Sequence, residues 1–262
     1  MRGIVIACPQ KYQDFCLQNI ESLRNKHDCH LPIEIWEIGQ EIDPDVKEQM
    51  RNVPNVSFKN VADYCENPDH WKGFQVKVFA LHHCAFDEAV LCDADVTFFK
   101  NPEIVFSDTP YQSTGAYFFK DQEEWQFCYL SDWNQCKFHN LDFFQKRKHF
   151  IRTLIPQKTD KFPAEWAYIY DEGVPANPVK EALQESGVVY IHREIHAESM
   201  KHIFKLNENH KETYEYVWGD KETFWIGCVM ADKAFYFNPE SGYTHDGKLK
   251  HNYRGEVFWQ QK

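Results

Sequence analysis

Short apolar runs alternate with stretches of helical spacing along the first hundred residues of the chain. Four of these runs have the length of strands: GIVIAC (3–8), LPIEIWEIG (31–39), VSFKNV (56–61) and AVLC (89–92). Apolar residues recur at helical spacing over residues 12–24, and residues 73–86 are apolar nearly all round, as in a helix buried against a sheet. This alternation predicts an α/β fold with a central, mostly parallel mixed sheet flanked by helices.

The pattern changes after Pro102. Residues 121–170 mix many aromatic side chains with charged ones without a clear period, and we interpret them as an insertion that covers or lines something. Trp125, Trp133 and Trp166 within it could stack on sugar rings, but we favour core packing for each of them.

The alternation resumes in the last third of the chain. In order, we predict a strand over 187–192, a helix near 194–206, a loop leading into a buried helix over 216–230, and a turn-rich polar tail over 242–255. Neither a linker nor an internal repeat divides the sequence, so we expect one domain over residues 1–262.

Composition and charge narrow the function classes. The chain has 262 residues, 43% of them hydrophobic, and a formal net charge of −11, which argues against a protein that tracks a nucleic-acid backbone. Its apolar runs fall far short of the roughly 20 residues that span a bilayer. The nine cysteines are scattered without a C-x-x-C pair, as in proteins with reduced thiols. We therefore expect a soluble, cytoplasmic protein without a membrane span or a nucleic-acid partner.

Two carboxylates stand at the end of one predicted strand, in the stretch AVLCDADVTFFKNP (89–102). Asp93 and Asp95 are two residues apart and could face the same way, and ligands of open α/β sheets gather at the carboxyl ends of strands. Their hard oxygens suit Mg²⁺ or Mn²⁺ held together with substrate phosphates. Solvated loop aspartates are the simpler explanation, but the apolar residues on both sides of the pair favour a site.

Three functions are compatible with this acidic pair. A nucleotide-sugar glycosyltransferase would use it to hold a metal ion against the donor diphosphate. A phosphatase of the haloacid-dehalogenase type would use Asp93 as nucleophile and Asp95 as general acid in the pattern D-x-D-x-T that ends at Thr97. However, several predicted elements precede Asp93, and Phe224 occupies the place of that family's late acidic residue. A non-catalytic carbohydrate-binding protein would explain the aromatic residues but not the acidic pair together with a late histidine, and we favour the transferase.

Three ordered blocks carry a resemblance to a known family: residues 72–102, LQESGVVYIHR (183–193) and WGDKETFW (218–225). They resemble the retaining α-mannosyltransferases of fungal Golgi type, glycosyltransferase family 71, and more distantly glycogenin and bacterial galactosyltransferases. The resemblance implies a single GT-A domain, with a nucleotide-binding half over 1–102 and a half for acceptor and donor sugar over 103–262. It also implies metal-dependent, retaining transfer of a hexose to a glycan acceptor, with GDP-mannose as the favoured donor and a UDP-hexose as an alternative.

The resemblance assigns roles to individual residues. For Mn²⁺ or Mg²⁺ it implies the ligands Asp93, Asp95 and His245. For the donor it implies contacts from Lys77, Asp93, Ser186, Gly187, Lys221 and His251. For catalysis or binding of the sugar hydroxyls it implies Asp220, Glu222 and Glu185. His251 is also an alternative third metal ligand, and Asp220 is alternatively the N-cap of a helix over Glu222–Met230.

Overall fold

The computed structural model of the protein describes residues 1–127, 141–171 and 179–262. Its strands are β1 (Arg2–Ala7), β2 (Ile33–Glu37), β3 (Val56–Asn60), β4 (Glu88–Asp93), β5 (Thr97–Phe98), β6 (Ala116–Phe127), β7 (Val179–His192), β8 (Tyr236–Ser241), β9 (Tyr243–His245), β10 (Lys248–Tyr253) and β11 (Glu256–Gln261). Its α-helices are α1 (Gln13–Asn25), α2 (Pro44–Arg51), α3 (Gln75–His83), α4 (Thr109–Thr114), α5 (Leu141–Leu154), α6 (Ala197–Glu208), α7 (His210–Thr213) and α8 (Thr223–Met230).

Seven strands form the central sheet, in the order β3-β2-β1-β4-β7-β6-β8. The first four of these strands run parallel to one another, β7 lies antiparallel between β4 and β6, and β8 is parallel to β6. The prediction of an α/β fold with a mostly parallel mixed sheet is therefore confirmed. Strands from both predicted halves of the chain belong to this one sheet, and we retain a single domain over residues 1–262 as a proposal.

The buried strands can be recognised in the sequence as apolar runs because both faces of the sheet are covered. Along β1, Val5 belongs to one core cluster, whereas Ile4 and Ile6 belong to the cluster on the opposite face, and all three are fully buried. The same alternation places Leu91 and Val90 of β4 in different clusters. Strands that are buried on both sides read as continuous apolar runs rather than as alternating ones.

The polar tail differs from the prediction. The predicted turn-rich segment 242–255 contains strands β9 and β10, and with β11 they join β5 in a second, antiparallel sheet. The turns lie at Asp246-Gly247 and Arg254-Gly255, where every residue has positive φ, as two-residue hairpin loops require. Phe258 and Trp259 of the last strand are fully buried although the two residues that follow them are glutamines.

The predicted insertion over 121–170 consists, in its described part, of the end of β6, helix α5 and a 3₁₀-helix over Ala164–Tyr170. Trp166 is buried and its ring centroid lies 5.0 Å from that of Trp225, which confirms core packing for this residue. Trp133 lies outside the described residues, as does the side chain of Trp125. Within the described ranges, every helix is too short or too polar to cross a membrane.

Candidate active site

The strand order places a crevice at the carboxyl ends of the central strands. From β1 the chain passes to β2 on one side, and it later returns to β4 on the other side of β1. The carboxyl ends of β1 and β4 meet in register, with Ala7 opposite Asp93. Such a switch point is where open α/β sheets bind their ligands. A cavity of about 490 Å³ opens here, and Ala7, Glu37 and Asp93 line it from the ends of three parallel strands.

Both aspartates of the acidic pair line this cavity. Asp93 is the last residue of β4, and Asp95 lies in the turn that follows, where the N–H of Val96 donates to the carbonyl of Asp93 at 3.1 Å. Burial raises the pKa of Asp95 to about 6, and the nearby charge of Asp93 adds to the effect. The pair therefore holds negative charge in a confined space that a bound cation would relieve.

Lys77 joins three segments behind the acidic pair. Its Nζ lies 2.9 Å from Oδ1 of Asp93 and 3.0 Å from Oδ2 of Asp220, and it donates to Oγ of Ser186 at 3.0 Å. Burial alone would lower the pKa of Lys77, but the carboxylates of Asp220 and Asp93 outweigh it and raise the pKa. The ammonium group is therefore charged, and it connects α3, the end of β4 and the loop before α8.

Lys221 forms a second buried cluster with two carboxylates. Its Nζ lies 2.6 Å from Oδ2 of Asp121 and 2.7 Å from Oε2 of Glu185. The other oxygen of Glu185 accepts the N–H of Gly187 at 2.7 Å. Although burial opposes it, the charge of Lys221 lowers the pKa of Glu185. The structure thus brings Lys221, Glu185 and Gly187 together, as the resemblance implies, and adds Asp121.

The two candidate histidines occupy different environments. His245 lies at the exposed end of β9, and its Nε2 is 3.1 Å from a carboxylate oxygen of Asp246. His251 is fully buried and stacks on Trp259 with ring centroids 3.9 Å apart, and neither of its ring nitrogens has a hydrogen-bond partner. Burial lowers the pKa of His251 to about 4. In residues 1–127, 141–171 and 179–262, no three His, Cys, Asp or Glu side chains are grouped to hold a metal ion, so neither His245 nor His251 is grouped with the acidic pair.

Glu222 and Asp220 lie in the same turn before α8 but have different partners. Glu222 is fully buried, and its Oε2 accepts the backbone N–H of Trp218 at 3.0 Å, so it stabilises a turn instead of lining the cavity. The N-cap position of α8 belongs to Glu222, while Asp220 directs its carboxylate to Lys77. The alternative explanation of Asp220 as the N-cap is therefore wrong, because its side chain forms an ion pair with Lys77 of α3.

Several residues of the site were missed by sequence reasoning. Cys8 and Ile38 line the cavity directly after β1 and β2, and the rule about strand ends could have found them. Gln261 and Lys262 line it from the last strand and the end of the chain, beyond the predicted polar tail over 242–255. No local signal marks Asp121, whose partner Lys221 is 100 residues away.

The donor set of the cavity fits a hard divalent cation. Mg²⁺ and Mn²⁺ are usually held by one or two protein carboxylates, with water or substrate phosphate completing the shell. Asp93 and Asp95 supply such carboxylates, and the cavity beside them leaves room for a phosphate-bearing ligand.

Comparison with known proteins agrees with this architecture. The chain is 26% identical over 259 residues to "Putative alpha-1,3-mannosyltransferase MNN14" of Candida albicans, covering 90% of this chain and 34% of that protein. It is 25% identical over 257 residues to alpha-1,3-mannosyltransferase MNT3 of Saccharomyces cerevisiae, covering 92% of this chain and 39% of that protein. The chain thus spans about a third of the length of the curated relatives it matches.

The fold likeness extends to solved structures. Core-mannan synthase A from Aspergillus fumigatus, in its Mn/GDP form, superposes with a TM-score of 0.58 at 11% identity, covering 98% of this chain and 80% of that one. The predicted GT-A fold is thereby confirmed. The family model described as "Mannosyltransferase putative" matches residues 1–256, almost the entire sequence. The predicted resemblance to fungal α-mannosyltransferases is thus confirmed, and the chain belongs to this mannosyltransferase family.

Proposed function

We propose that the protein is a metal-dependent, retaining glycosyltransferase that moves a hexose from a nucleotide-diphosphate sugar to a glycan acceptor. Mannose from GDP-mannose is the favoured donor, with a UDP-hexose as the alternative. The observation that carries the proposal is the acidic pair Asp93 and Asp95, backed by Lys77, in the cavity at the β1/β4 switch point. The Mn/GDP form of the structurally similar mannan synthase supports the choice of metal and nucleotide.

The nucleoside would occupy the part of the cavity nearest the ends of β1 and β2. Tyr12 offers aromatic surface there, and Glu37 lies at the end of β2. One carboxylate oxygen of Glu37 is buried without a hydrogen-bond partner. An acidic residue at this place in nucleotide-binding α/β folds accepts hydrogen bonds from ribose hydroxyls, and we assign that role to Glu37.

The diphosphate would lie beside Asp93 and Asp95, which would hold Mn²⁺ or Mg²⁺. When bound, such an ion stabilises the negative charge that develops on the departing phosphate. Between the two histidines, we propose His251 as the third ligand after a side-chain rearrangement, because its ring nitrogens are buried without partners whereas His245 is exposed. His245 remains the alternative that the sequence resemblance implies.

The sugar would lie near the two lysine clusters. Lys77 and Lys221 hold Asp220 and Glu185 in place, and these carboxylates can accept hydrogen bonds from sugar hydroxyls or face the anomeric carbon. Ser186 and Gly187 follow Glu185 in the same strand and would contact the donor. Glu222 is the third carboxylate of the predicted catalytic set. Because it is fully buried, we assign it a structural position behind Asp220 and Glu185.

The phosphatase has less support. Its nucleophile strand is normally the first of the fold, whereas β4 follows three strands and three α-helices. Asp93, the required nucleophile, is engaged by Lys77 at 2.9 Å. Phe224, at the place of the late acidic residue, is fully buried in the core.

A thermal-shift and calorimetric panel tests the proposal. GDP-mannose, UDP-galactose and UDP-glucose are each titrated with and without Mn²⁺, and a true donor at one hundred times its Kd should stabilise the fold by roughly 2.7 kcal/mol. Asp95→Asn should abolish the metal-dependent part of this stabilisation. Asp160→Asn, which neutralises an aspartate whose side chain is 87% exposed, should retain it. Product analysis by NMR then reports the anomeric configuration.

Two outcomes would contradict the proposal. If the donor bound the wild type equally well with and without Mn²⁺, and bound Asp95→Asn as tightly as the wild type, the acidic pair would have no role in donor binding. Saturable sugar binding without any binding of nucleotide sugars would instead favour a non-catalytic carbohydrate-binding protein.

A further inference from the structure

We propose that Gln261 determines which hexose the cavity accepts, because its side-chain amide forms a hydrogen bond with one hydroxyl group of the donor sugar. The inference rests on the proposed glycosyltransferase function. It adds a specificity-determining residue that belongs neither to the acidic pair nor to the two lysine clusters.

The side-chain amide of Gln261 has an unused hydrogen-bonding atom in the wall of the cavity. Gln261 belongs to β11 and lines the cavity together with Asp93 and Asp95. Its Oε1 is buried, and within the described residues it accepts no hydrogen bond. Buried polar atoms in folded proteins are nearly always paired, because an unpaired one has lost its hydrogen bonds to water without replacement. An unpaired amide in a cavity wall therefore indicates a hydrogen bond that forms with a ligand.

The amide packs against the backbone of Gly187. A Cβ atom at Gly187 would lie 2.4 Å from Oε1 of Gln261, so only a glycine leaves room for the amide in this position. The N–H of Gly187 is not available to the amide, because it donates to Oε1 of Glu185 at 2.7 Å. The contact with Gly187 thus fixes the place of the amide without satisfying it.

This contact places Gln261 beside the acidic pair. The register of the antiparallel strands β4 and β7, continued by one residue, sets Gly187 opposite Asp93. Lys77 spans the same two segments, since its Nζ lies 2.9 Å from Oδ1 of Asp93 and 3.0 Å from Oγ of Ser186. The amide therefore lies between the proposed diphosphate position and the segment that we expect to contact the sugar.

The geometry of β11 keeps Gln261 in this position. The strand is paired with β10 on one side and with β5 on the other. Side chains alternate along a strand, so Gln261 shares a face with Trp259, and both lie against Gly187, whereas Gln260 belongs to the opposite face. Because the backbone is already ordered, only side-chain torsions of Gln261 need to be fixed when a ligand binds.

The chemistry of the amide suits a sugar hydroxyl. A side-chain amide offers an acceptor oxygen and a donor NH₂ group, and a hydroxyl group can donate as well as accept. The terminal torsion of glutamine is soft, so a half-turn exchanges the oxygen and the nitrogen. A diphosphate, by contrast, is better matched by charged groups and a divalent cation. A neutral amide at this position therefore selects for a hydroxyl of the neutral hexose.

Calorimetry on Gln261→Met separates the hexose from the nucleotide. The Kd values of GDP-mannose and GDP are measured in the presence of Mn²⁺, and if the wild type prefers UDP-galactose or UDP-glucose, each is compared with UDP. Methionine has nearly the length of glutamine but lacks the amide. We expect the Kd of GDP-mannose to rise about tenfold, the effect of one hydrogen bond to a buried amide, and the Kd of GDP to stay within about twofold.

Deoxy analogues identify the hydroxyl that Gln261 contacts. Four analogues of GDP-mannose are used, each lacking the hydroxyl at C2, C3, C4 or C6 of the sugar. One of them should bind the wild type about tenfold more weakly than GDP-mannose does, because it leaves the amide unpaired. Gln261→Met should bind that analogue and GDP-mannose equally, since it has no amide to leave unpaired.

Gln260→Met is the matched control, because it replaces the neighbouring glutamine of the same strand, which does not line the cavity. Both Kd values should stay within about twofold of the wild type in this variant. An unchanged Kd of GDP-mannose in Gln261→Met would overturn the inference. An equal rise in the Kd of GDP would do the same, as would equal discrimination among the four analogues by the wild type and Gln261→Met. Failure of every nucleotide sugar to bind the wild type would instead count against the proposed function, so the two failures are distinguishable.

Discussion

At the scale of single residues, two buried lysines form ion pairs with four carboxylates at one end of the sheet. Lys77 pairs with Asp93 and Asp220, and Lys221 pairs with Asp121 and Glu185. Charges are transferred from water into a protein interior only when such pairing compensates their desolvation. Since carboxylates still outnumber ammonium groups, the site has a deficit of positive charge that a bound divalent cation would correct.

Removal of one lysine should therefore be strongly destabilising. Lys221→Met leaves the carboxylates of Asp121 and Glu185 buried side by side without a counter-charge, and we expect a loss of roughly 3–5 kcal/mol in the free energy of unfolding, measured with urea. Lys201→Met is the control, because Lys201 pairs with Glu198 on the surface with its side chain 68% exposed, and it should change stability by less than about 0.5 kcal/mol.

Neutralising one partner should restore part of this loss. Adding Asp121→Asn to Lys221→Met removes one of the two unpaired carboxylates, so the double variant should be more stable than Lys221→Met alone. Equal stability losses in Lys221→Met and Lys201→Met would show that this cluster does not behave as a buried ion pair.

Some residues of the site can be predicted from the sequence and others cannot. Asp93 and Asp95 follow an apolar strand within one short stretch, so local pattern was sufficient to find them. Asp121 and Glu185 lie on the paired strands β6 and β7, and both contact Lys221, which lies 100 and 36 residues from them in sequence. Such a contact depends on strand order in the finished sheet, and no periodicity in the sequence encodes it.

At the scale of elements, the predictable parts are those whose burial is complete. Helix α8 is apolar on every side because it packs in the core, and β1 and β4 are apolar because helices cover both faces of the sheet. Strands β9 and β10 lie in the segment 242–255, for which the pattern predicts only a turn-rich polar tail. The pairing of β11 with the two-residue strand β5 is non-local, and in β10 a buried histidine, His251, takes a position where the pattern would need an apolar residue.

The crossing of α6 and α8 depends on a small residue. A Cβ atom on Gly227 would lie 2.4 Å from Cγ1 of Ile203 and 3.1 Å from the carbonyl oxygen of Ser199. Alanine has a higher helix propensity than glycine by about 1 kcal/mol, but overpacking a tight core costs about 1–3 kcal/mol. We expect the clash to dominate, so Gly227→Ala should lower the free energy of unfolding by roughly 1–2 kcal/mol in a urea titration.

A double-mutant cycle isolates this clash. Ile203→Ala removes Cγ1, so the combined effect of Gly227→Ala and Ile203→Ala should be smaller than the sum of the single effects by about 1 kcal/mol. Strict additivity, or a stabilised Gly227→Ala, would mean that helix propensity outweighs packing at this crossing.

At the scale of the whole molecule, one sheet connects the proposed nucleotide side of the site to the proposed sugar side. β1, β2 and β4 contribute the cavity, and β7 carries Glu185, Ser186 and Gly187 on the strand next to β4. Because these strands are neighbours in one sheet, residues from distant parts of the sequence lie together at the same end of the strands. The cytoplasmic location remains a prediction.

The whole molecule should also show an unusual pH dependence of stability, caused by Glu222. Burial raises the pKa of this carboxyl to about 7 in the folded protein, against about 4.3 for an ordinary glutamate in the unfolded chain. Between these two values the folded protein binds more protons than the unfolded chain, so this group lowers the free energy of unfolding as pH rises from about 4.5 to 7. The effect is complete above pH 7 and absent below about pH 4.

Glu222→Gln keeps the shape of the side chain and an oxygen for the Trp218 N–H, but it cannot ionise. The difference in free energy of unfolding between Glu222→Gln and the wild type should therefore shift in favour of the variant by up to the order of 3 kcal/mol between pH 4.5 and pH 8, in parallel urea titrations. Glu48→Gln, in which the replaced side chain is 65% exposed, should give a nearly flat difference over the same range. A flat difference for Glu222→Gln would show that the buried carboxyl is not protonated in the folded protein. A shift in favour of the wild type with rising pH would show that Arg147 and Lys221 stabilise its charged form more than burial opposes it.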